Sequence, residues 1–329
     1  GSIIRWLLAC HSEGILTDES TGIPISKIGS MEFMETLVKK LSLRDGFGDT
    51  LAEGIYRAAD SLGTKARELI ADRAYKAGQL CSYGPRLYNT NALSYATEPR
   101  RRIGQLHEVA FPVAFEFRKW VEGAEGFYVS GKVVRAIAKR FWGSEIAGDL
   151  STYEGKALAA KIIQEREYVK DSLVLCDWAW PIPYAKYTEN HVGDPTVESK
   201  LYSAVTGNEV DEEGFYKIGE RLFNLQRAIL MREGRRGRQD DKLAEFNYTV
   251  PIKAGFEANN PKCWVTGKDG ELLIKEGAVV NREEFEKMLD EYYQLRGWDV
   301  RTGLQTKAKL VELDLKDVAA DLEPRGLIK

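Results

Sequence analysis

Few side chains in this sequence suit acid–base or metal chemistry at neutral pH. The chain contains three histidines, His11, His107 and His191. They are far apart in sequence, and there is no H-E-x-x-H motif that would predict a zinc site. For each histidine a structural or solvent-exposed role is the simpler interpretation, although imidazole is the side chain whose unperturbed pKa suits proton transfer near neutrality.

His107 is the strongest candidate of the three, because a basic segment precedes it. That segment contains three consecutive arginines, Arg100, Arg101 and Arg102. Their guanidinium groups could bind an anionic substrate, to which His107 could then transfer a proton. The alternative is a salt-bridged loop, in which the arginines pair with Glu98 and Glu108 and the histidine lies at the surface.

The cysteines do not predict a site by their spacing. The chain has four of them, Cys10, Cys81, Cys176 and Cys263. They form no C-x-x-C pair and are a poor disulfide framework for a chain of this length, so we expect reduced thiols. A lone cysteine is usually a small buried hydrophobe. Cys176 fits that interpretation, because its position continues the apolar spacing of a helix predicted over about residues 154–175.

Composition excludes several classes of function. The 329 residues include 47 Lys and Arg against 50 Asp and Glu, a net charge of −3, which argues against binding to nucleic acid or to an anionic membrane surface. No apolar run approaches the ~20 residues of a membrane-spanning helix, and the first residues do not resemble a signal peptide. We therefore expect a cytoplasmic protein with no membrane insertion.

Helical periodicity runs through most of the chain. Apolar residues three and four positions apart predict helices near residues 3–12, 65–78, 154–175, 195–206, 212–232 and 282–296. Two further helices are predicted between residues 31 and 62, with Asp49 as the N-cap of the second. Residues 268–270 (KDG) are a turn signal that predicts a small hairpin. The predicted fold class is mainly α, with at most a small β-hairpin.

Two features bear on domain organisation. Residues 81–105 are rich in turn signals and are the candidate domain boundary. The first helix is strongly apolar and begins at the second residue without a capping lead-in, so we expect the chain to be the later part of a longer protein. Gly1 and Ser2 could equally be a cloning remnant.

Three longer strings are more specific than any single residue. They are residues 44–54 (RDGFGDTLAEG), residues 222–227 (LFNLQR) with REG at 232–234 and DD at 240–241, and residues 288–299 (MLDEYYQLRGWD). In this order they resemble signatures of the aldehyde ferredoxin oxidoreductase family over nearly the whole chain. The resemblance implies two helical domains, residues 1–98 as the C-terminal part of family domain 2 and residues 99–329 as family domain 3. The N-terminal pterin-binding sheet domain has no counterpart here.

The family resemblance also implies cofactors. Its members hold tungsten between two pterin dithiolenes, with Mg possible between the pterins, beside one 4Fe–4S cluster. Residues 171–176 (DSLVLC) resemble the family's second pterin-contacting motif, D-x-L-G-L-C. By that match Asp171 hydrogen-bonds a pterin, Leu175 lies at the cofactor and Cys176 is the fourth cluster thiolate. Val174 replaces the usual glycine, which affects how closely the backbone can approach a pterin. The family's closely spaced cysteine triplet is expected upstream of Gly1.

Within the family, two branches fit the sequence differently. Aldehyde-oxidising members often carry an A-C-H-L string after Y-A-T, whereas here YAT at 95–97 is followed by no such cysteine and His107 is displaced. The strings at 98–100, 141–144, 151–157, 175–178 and 303–306 are more similar to the tungsten subunit of class II benzoyl-CoA reductases. This branch implies low-potential electron transfer to an aryl-CoA thioester such as benzoyl-CoA. The alternatives are oxidation of aldehydes to carboxylic acids and a scaffold that has lost the metal. The implied partner is ferredoxin or an iron–sulfur electron-transfer subunit.

Overall fold

The chain divides into two compact units. The computed structural model describes residues 2–71, 83–98, 107–176, 180, 182–256 and 260–329. The first unit comprises Gly1–Cys81 together with Ala244–Val250, and the second comprises Ser82–Leu243 and Pro251–Lys329.

The first unit is helical with an apolar core. Its helices are α1 (Ser2–Ser12), α2 (Asp18–Thr21), α3 (Met31–Leu43), α4 (Phe47–Ala52), α5 (Ile55–Leu62) and α6 (Thr64–Ala71), with a 3-10 turn at Ile25–Lys27 and a helical turn at Phe246–Thr249. Trp6, Phe33, Leu37 and Ile55 are buried in its core. The Trp6 indole also donates a hydrogen bond to the Ala66 carbonyl oxygen at 2.9 Å, which fixes α1 against α6.

The segment after α3 differs from the prediction. Arg44 takes a left-handed backbone with φ +53°, and Gly46 is the N-cap of α4. Asp49 therefore lies inside the first turn of α4, where it pairs with Arg44, so its prediction as an N-cap is wrong. Gly54, with φ +94°, then starts α5. Glycines that accept positive φ divide the predicted second helix into two short helices.

The second unit is also helical. Its helices are α7 (Asn91–Thr97), α8 (Ala114–Val121), α9 (Gly131–Phe141), α10 (Lys156–Ser172), α11 (Thr196–Thr206), α12 (Glu212–Arg232), α13 (Arg282–Leu295), α14 (Lys307–Glu312) and α15 (Lys316–Leu322). A π-helical turn lies at Val109–Val113, and 3-10 turns lie at Glu145–Gly148, Gly237–Gln239, Lys268–Gly270 and Glu323–Arg325.

Helix α10 is central to the second unit, where it packs against α7, α9, α12 and α13. Its contact with α12 is backbone to backbone at Gly219. A Cβ atom at this position would lie 1.8 Å from the Glu165 carbonyl oxygen, so only glycine allows the two helices to approach this closely.

The predicted fold class is confirmed. Helices α11, α12 and α13 lie within one residue of their predicted bounds. Asp211 and Asn281 cap the N-termini of α12 and α13 by accepting hydrogen bonds from backbone amides. The predicted hairpin is formed by β1 (Trp264–Thr266) and β2 (Leu272–Ile274), which pair antiparallel with Val265 opposite Leu273. Among the described residues, no helix is long and apolar enough to span a membrane.

The boundary after residue 98 concerns the family's domains and stays a prediction. In the structure, α7 packs against α10, so residues 83–98 belong to the second compact unit. The helix predicted over residues 65–78 is present as α6 up to Ala71, and its remainder lies outside the described residues.

Candidate functional site

The 171–176 motif forms the C-terminal end of α10 and the turn that follows it. The helix ends at Ser172, and the Leu175 amide then donates to the Lys170 carbonyl oxygen at 3.0 Å. Asp171 and Cys176 are exposed, and Leu175 is half-buried. The prediction that Cys176 continues the apolar face of this helix is wrong, because the helix ends before it and the turn carries its thiol to the surface.

Val174 adopts an unusual backbone conformation in this turn. Its φ is +59°, a left-handed conformation that costs an L-residue about 1–2 kcal/mol and that is rare for β-branched residues. Its side chain is 89% exposed and gains little from packing. A turn that suits glycine is therefore formed with valine, and a cofactor that approaches the turn meets the valine side chain.

His107 is buried among aromatic rings rather than lying at the surface. Only 6% of the residue is exposed. Its ring lies edge-on to Tyr83 with centroids 5.2 Å apart, and 6.0 Å from the ring of Phe111. The interpretation of His107 as a surface residue is wrong. An aromatic wall of this kind excludes water from the imidazole, as proton transfer in a dry site requires.

The two glutamates that flank the arginine segment are also buried. Arg100, Arg101 and Arg102 lie outside the described residues, so their role in anion binding stays a prediction. Glu108 forms an ion pair with Arg166, a partner more than fifty residues away in the sequence. The C-terminal half of α10 therefore contributes the cation that pairs with Glu108.

This half of α10 is both polar and buried. We call residues 164–170 the polar half of α10; its buried polar members are Gln164, Glu165, Arg166, Glu167, Tyr168 and Lys170. Charged side chains are rarely buried without partners, because leaving water costs several kcal/mol per ion. The contacts of these residues fall into two groups.

The first group connects the polar half to Glu98. The Tyr168 hydroxyl donates to the two carboxylate oxygens of Glu98 at 3.2 and 3.3 Å. The Gln164 amide donates to Glu98 Oε1 at 3.4 Å. These distances exceed the usual range for hydrogen bonds. Two neutral donors from α10 thus contact the buried Glu98 carboxylate.

The second group is a buried cluster of three carboxylates and two cations. Arg166 pairs with Glu108 and lies 3.6 Å from Glu198, while Lys170 pairs with Glu167 at 3.0 Å. All five side chains are at most 2% exposed. Because each cation faces at least one carboxylate, the cluster is stable only as a set.

Burial shifts the pKa of one side chain on α10 and of one on the neighbouring α13. Burial raises the pKa of Glu165, and the nearby Arg296 and Lys161 oppose that rise. Burial also raises the pKa of Tyr292 to about 12, so its hydroxyl is a hydrogen-bond donor at neutral pH.

The cysteines differ in accessibility. Burial raises the pKa of Cys10 to about 11, which keeps that thiol protonated and inert. Cys263 is buried, Cys176 is exposed, and Cys81 lies outside the described residues. The exposed Cys176 thiol fits the role of a cluster ligand, and the exposed Asp171 carboxylate can accept hydrogen bonds from a pterin. Within the described part of the chain, no group of three or more His, Cys, Asp or Glu residues could hold a metal ion by itself.

Sequence reasoning did not identify Gln164, Tyr168 and Arg166 as site residues, and it treated Glu98 only as an ion-pair partner. A signal for them exists in the sequence. Residues 164–168 (QEREY) are five consecutive polar or amphipathic residues inside a helix whose preceding turns are rich in alanine and isoleucine. Five polar residues in succession cover every face of a helical turn, so at least one of them must continue the face that is apolar in the preceding turns.

Comparison with known families identifies the class of protein. The model of a family described as aldehyde ferredoxin oxidoreductase, domains 2 and 3, matches residues 1–315. The chain belongs to the aldehyde ferredoxin oxidoreductase family.

The individual relatives refine this assignment. The tungsten-containing aldehyde ferredoxin oxidoreductase of Pyrococcus furiosus is 24% identical over 318 residues, which cover 96% of this chain and 42% of the relative. The protein of the same description from Thermococcus kodakarensis is 23% identical over 318 residues, with the same coverage. The chain thus spans about two-fifths of the length of these relatives.

A solved structure is also similar to this one. It is described as the active site complex BamBC of benzoyl coenzyme A reductase in complex with 1,5 dienoyl-CoA. The likeness has a TM-score of 0.62 and 25% sequence identity, and it covers 99% of this chain and 45% of that chain.

Proposed function

We propose that this chain is the helical portion of a tungsten bis-pterin oxidoreductase that reduces the ring of an aryl-CoA thioester such as benzoyl-CoA. The observation that supports this most directly is the burial of His107 among the rings of Tyr83 and Phe111, which keeps water from the imidazole. Ring reduction at low potential requires protons from fixed donors and exclusion of water, because free protons would compete for the electrons. The likeness to a structure described with a dienoyl-CoA also supports the aryl-CoA branch.

The chain's own residues have separate roles in this proposal. Cys176 ligates a 4Fe–4S cluster, Asp171 accepts a hydrogen bond from a pterin, and Leu175 packs at the cofactor. When bound, the tungsten pterin, with Mg between its two pterins, and the cluster supply electrons of low potential. His107 donates a proton to the substrate.

The three arginines that precede His107 complete the proposed substrate site. Arg100, Arg101 and Arg102 pair with the CoA phosphates by charge-assisted hydrogen bonds, each contributing about 1.5–3 kcal/mol when well formed.

Further parts of the proposal concern partners. A pterin-binding portion corresponding to the rest of the relatives' length completes the site. Electrons arrive from ferredoxin or an iron–sulfur electron-transfer subunit. The protein acts in the cytoplasm, without nucleic acid or membrane insertion.

Oxidation of aldehydes to carboxylic acids, with ferredoxin as acceptor, is the second candidate. The curated relatives named above are described as aldehyde ferredoxin oxidoreductases, which favours it. A scaffold without metal is disfavoured by the intact Asp171 and Cys176.

A comparison of substrates in the complete holoprotein tests the proposal. Turnover of benzoyl-CoA should exceed that of simple aldehydes. The Arg101→Ala variant should raise KM for benzoyl-CoA and leave free aldehydes unaffected, whereas His107→Ala should mainly lower kcat. If the holoprotein oxidises aldehydes efficiently, ignores benzoyl-CoA and tolerates Arg101→Ala, the aldehyde function is correct instead.

A further inference from the structure

Helix α10 presents three site-related side chains on one face. Gln164, Tyr168 and Asp171 are spaced i, i+4 and i+7, which places them on the same side of an α-helix. The first two donate to Glu98, and the third begins the predicted pterin-contacting motif. One rigid element therefore fixes the buried carboxylate relative to the motif.

The orientation of the Gln164 amide is determined by its neighbours. Its Oε1 atom accepts hydrogen bonds from the Tyr292 hydroxyl and from Arg296, the latter at 2.8 Å. Both partners are donors, so the oxygen must face them and the NH₂ group must face Thr97 and Glu98. A donor is thus held toward the Glu98 carboxylate.

Arg296 is itself anchored. It donates to Glu165 Oε1 at 2.8 Å, and Glu165 pairs with Lys161 at 2.6 Å. The guanidinium also lies over the ring of Phe223, 4.2 Å from its centroid. These contacts leave the guanidinium little freedom to withdraw from Gln164.

Among the described residues, the polar and charged groups around Glu98 come from several elements. Helix α10 contributes Gln164 and Tyr168, and α7 contributes Thr97. Tyr292 of α13 interacts with Glu98 electrostatically, and Arg296 follows α13 in the chain. Arg235 follows α12 and donates to the Ala96 carbonyl oxygen while it pairs with Asp241.

We infer that Gln164 and Tyr168 are positioning residues that hold Glu98 ionised and correctly oriented, so that Glu98 can accept and return a proton at the site. This inference rests on the proposed function and adds to it a role for Glu98 in proton transfer. Hydrogen bonds donated to a carboxylate favour its charged form. Removing either donor should therefore make Glu98 retain a proton to higher pH.

The Gln164→Glu variant tests this most sharply, because it is nearly isosteric. One carboxylate oxygen would keep the bonds from Tyr292 and Arg296, and the other would replace the NH₂ group facing Glu98. The new carboxylate oxygen would take the place of the Gln164 Nε2 atom, which lies 3.4 Å from Glu98 Oε1. Two carboxylates this close cannot readily both ionise, so the pair should share a proton. In the complete holoprotein the acidic limb of the pH profile of kcat/KM should move up by about one pH unit or more, with KM on the high-pH plateau changed less than about twofold.

Infrared spectroscopy provides a readout that does not depend on activity. A carbonyl band of a protonated carboxylic acid should appear at neutral pH in Gln164→Glu and disappear when Glu98→Gln is added. Tyr168→Phe removes one donor without adding a charge, so it should shift the limb in the same direction by a smaller amount. If Gln164→Glu does not fold, Tyr168→Phe decides the question by the same shift.

Gln305→Glu is the matched control. Gln305 is also a fully buried glutamine, but its amide donates to the side-chain and backbone oxygens of Asn224. This variant should lose stability without moving the acidic limb. An unshifted limb and no new band in Gln164→Glu, or an equal shift in Gln305→Glu, would overturn the inference. If the holoprotein turns over neither benzoyl-CoA nor aldehydes, the proposed function fails, and the infrared bands still decide whether Gln164 controls the protonation of Glu98.

Discussion

The two halves of helix α10 both contribute buried side chains but differ in chemistry. The first half contributes Ala157, Ala159, Ala160 and Ile163 to the core, apart from the buried Lys156 at its start. The polar half, in which every residue is buried, contributes carboxylates, cations, an amide and a phenol. Burial of apolar side chains stabilises the fold in proportion to the apolar surface area removed from water. Buried charged side chains stabilise it only when each of them has its partner of opposite charge. A single helix is therefore a packing element at one end and carries a buried polar network, next to the candidate site, at the other.

The largest expected effect concerns the turn that follows the polar half. If Cys176 is the cluster ligand that we propose, Cys176→Ala in the complete holoprotein should abolish binding of the 4Fe–4S cluster. Iron content and electron paramagnetic resonance measure the loss. Cys263→Ala, which removes a buried thiol elsewhere, should keep full iron content. Full cluster occupancy in Cys176→Ala would remove Cys176 from the ligand set.

The second prediction compares how much the free energy of unfolding falls when a buried residue is replaced in each half of α10. Arg166→Met should lower the free energy of unfolding by about 3–5 kcal/mol, because it leaves Glu108 and Glu198 buried without their shared cation. Ile163→Val in the apolar half should cost only about 0.5–1.5 kcal/mol. Urea denaturation of the two variants measures both values.

A combined variant shows whether the cost arises from charge. Adding Glu108→Gln and Glu198→Gln to Arg166→Met should recover part of the lost stability, since the uncompensated charges are then gone. If the triple variant is less stable than Arg166→Met, the loss comes from packing instead.

The apolar half contains one buried cation, which predicts a dependence on pH. Burial lowers the pKa of Lys156 from 10.5 to about 7, while its ammonium group donates to the carbonyl oxygens of Ile146 and Glu154. Between these two pKa values the unfolded chain binds more protons than the folded one, so stability should rise with pH, by up to about 1.4 kcal/mol per pH unit for one group. Below about pH 7 both states are protonated and this rise is absent.

The Lys156→Met variant should remove this part of the pH dependence, measured as unfolding free energy at a series of pH values. Lys275, whose pKa burial lowers to about 8, should still contribute a rise of the same sign. The exposed Lys139 serves as the control; it pairs with Glu145 and lowers the pKa of that carboxyl, so its replacement affects only the acidic range and should leave the rise above about pH 7 unchanged. An unaltered slope in Lys156→Met would mean that Lys156 titrates normally in the folded protein.

The smallest expected effect is at the turn after the polar half. Val174→Gly should raise the free energy of unfolding by up to about 1 kcal/mol, because relief of the left-handed valine outweighs the greater freedom of glycine in the unfolded chain. Val38 is also exposed but lies within α3, so Val38→Gly should lower stability by a few tenths of a kcal/mol to about 1 kcal/mol. Thermal denaturation distinguishes the two signs, and a destabilising Val174→Gly would indicate that the valine side chain has a packing partner.

Much of the fold could be predicted from the sequence, because its helices follow local rules. The bounds of α12 and α13 follow from apolar spacing and from the capping residues Asp211 and Asn281. Asp49 shows the limit of these rules. It has the right residue type for an N-cap, but Gly46 begins the helix earlier.

The candidate site was less predictable, because its contacts join distant parts of the chain. Gln164 and Tyr292 are 128 residues apart, and no local pattern predicts that they meet. Apolar spacing also identifies buried faces by their hydrophobic residues, so it cannot find a buried face built from Arg166 and Glu198. The burial of His107 was missed for a similar reason, since Tyr83 reaches it from a different segment.

The contact at Gly219 has a consequence for motion within the second unit. Because the α10 and α12 backbones touch there with no side chain between them, one helix cannot slide along the other without separating from it. Water can then reach the α10–α12 face of the polar half only when the two helices come apart, an event close to complete unfolding of the unit. Amide protons of residues 164–168 should accordingly exchange with deuterium as slowly as any in the protein, on the timescale of global opening rather than of local fluctuation.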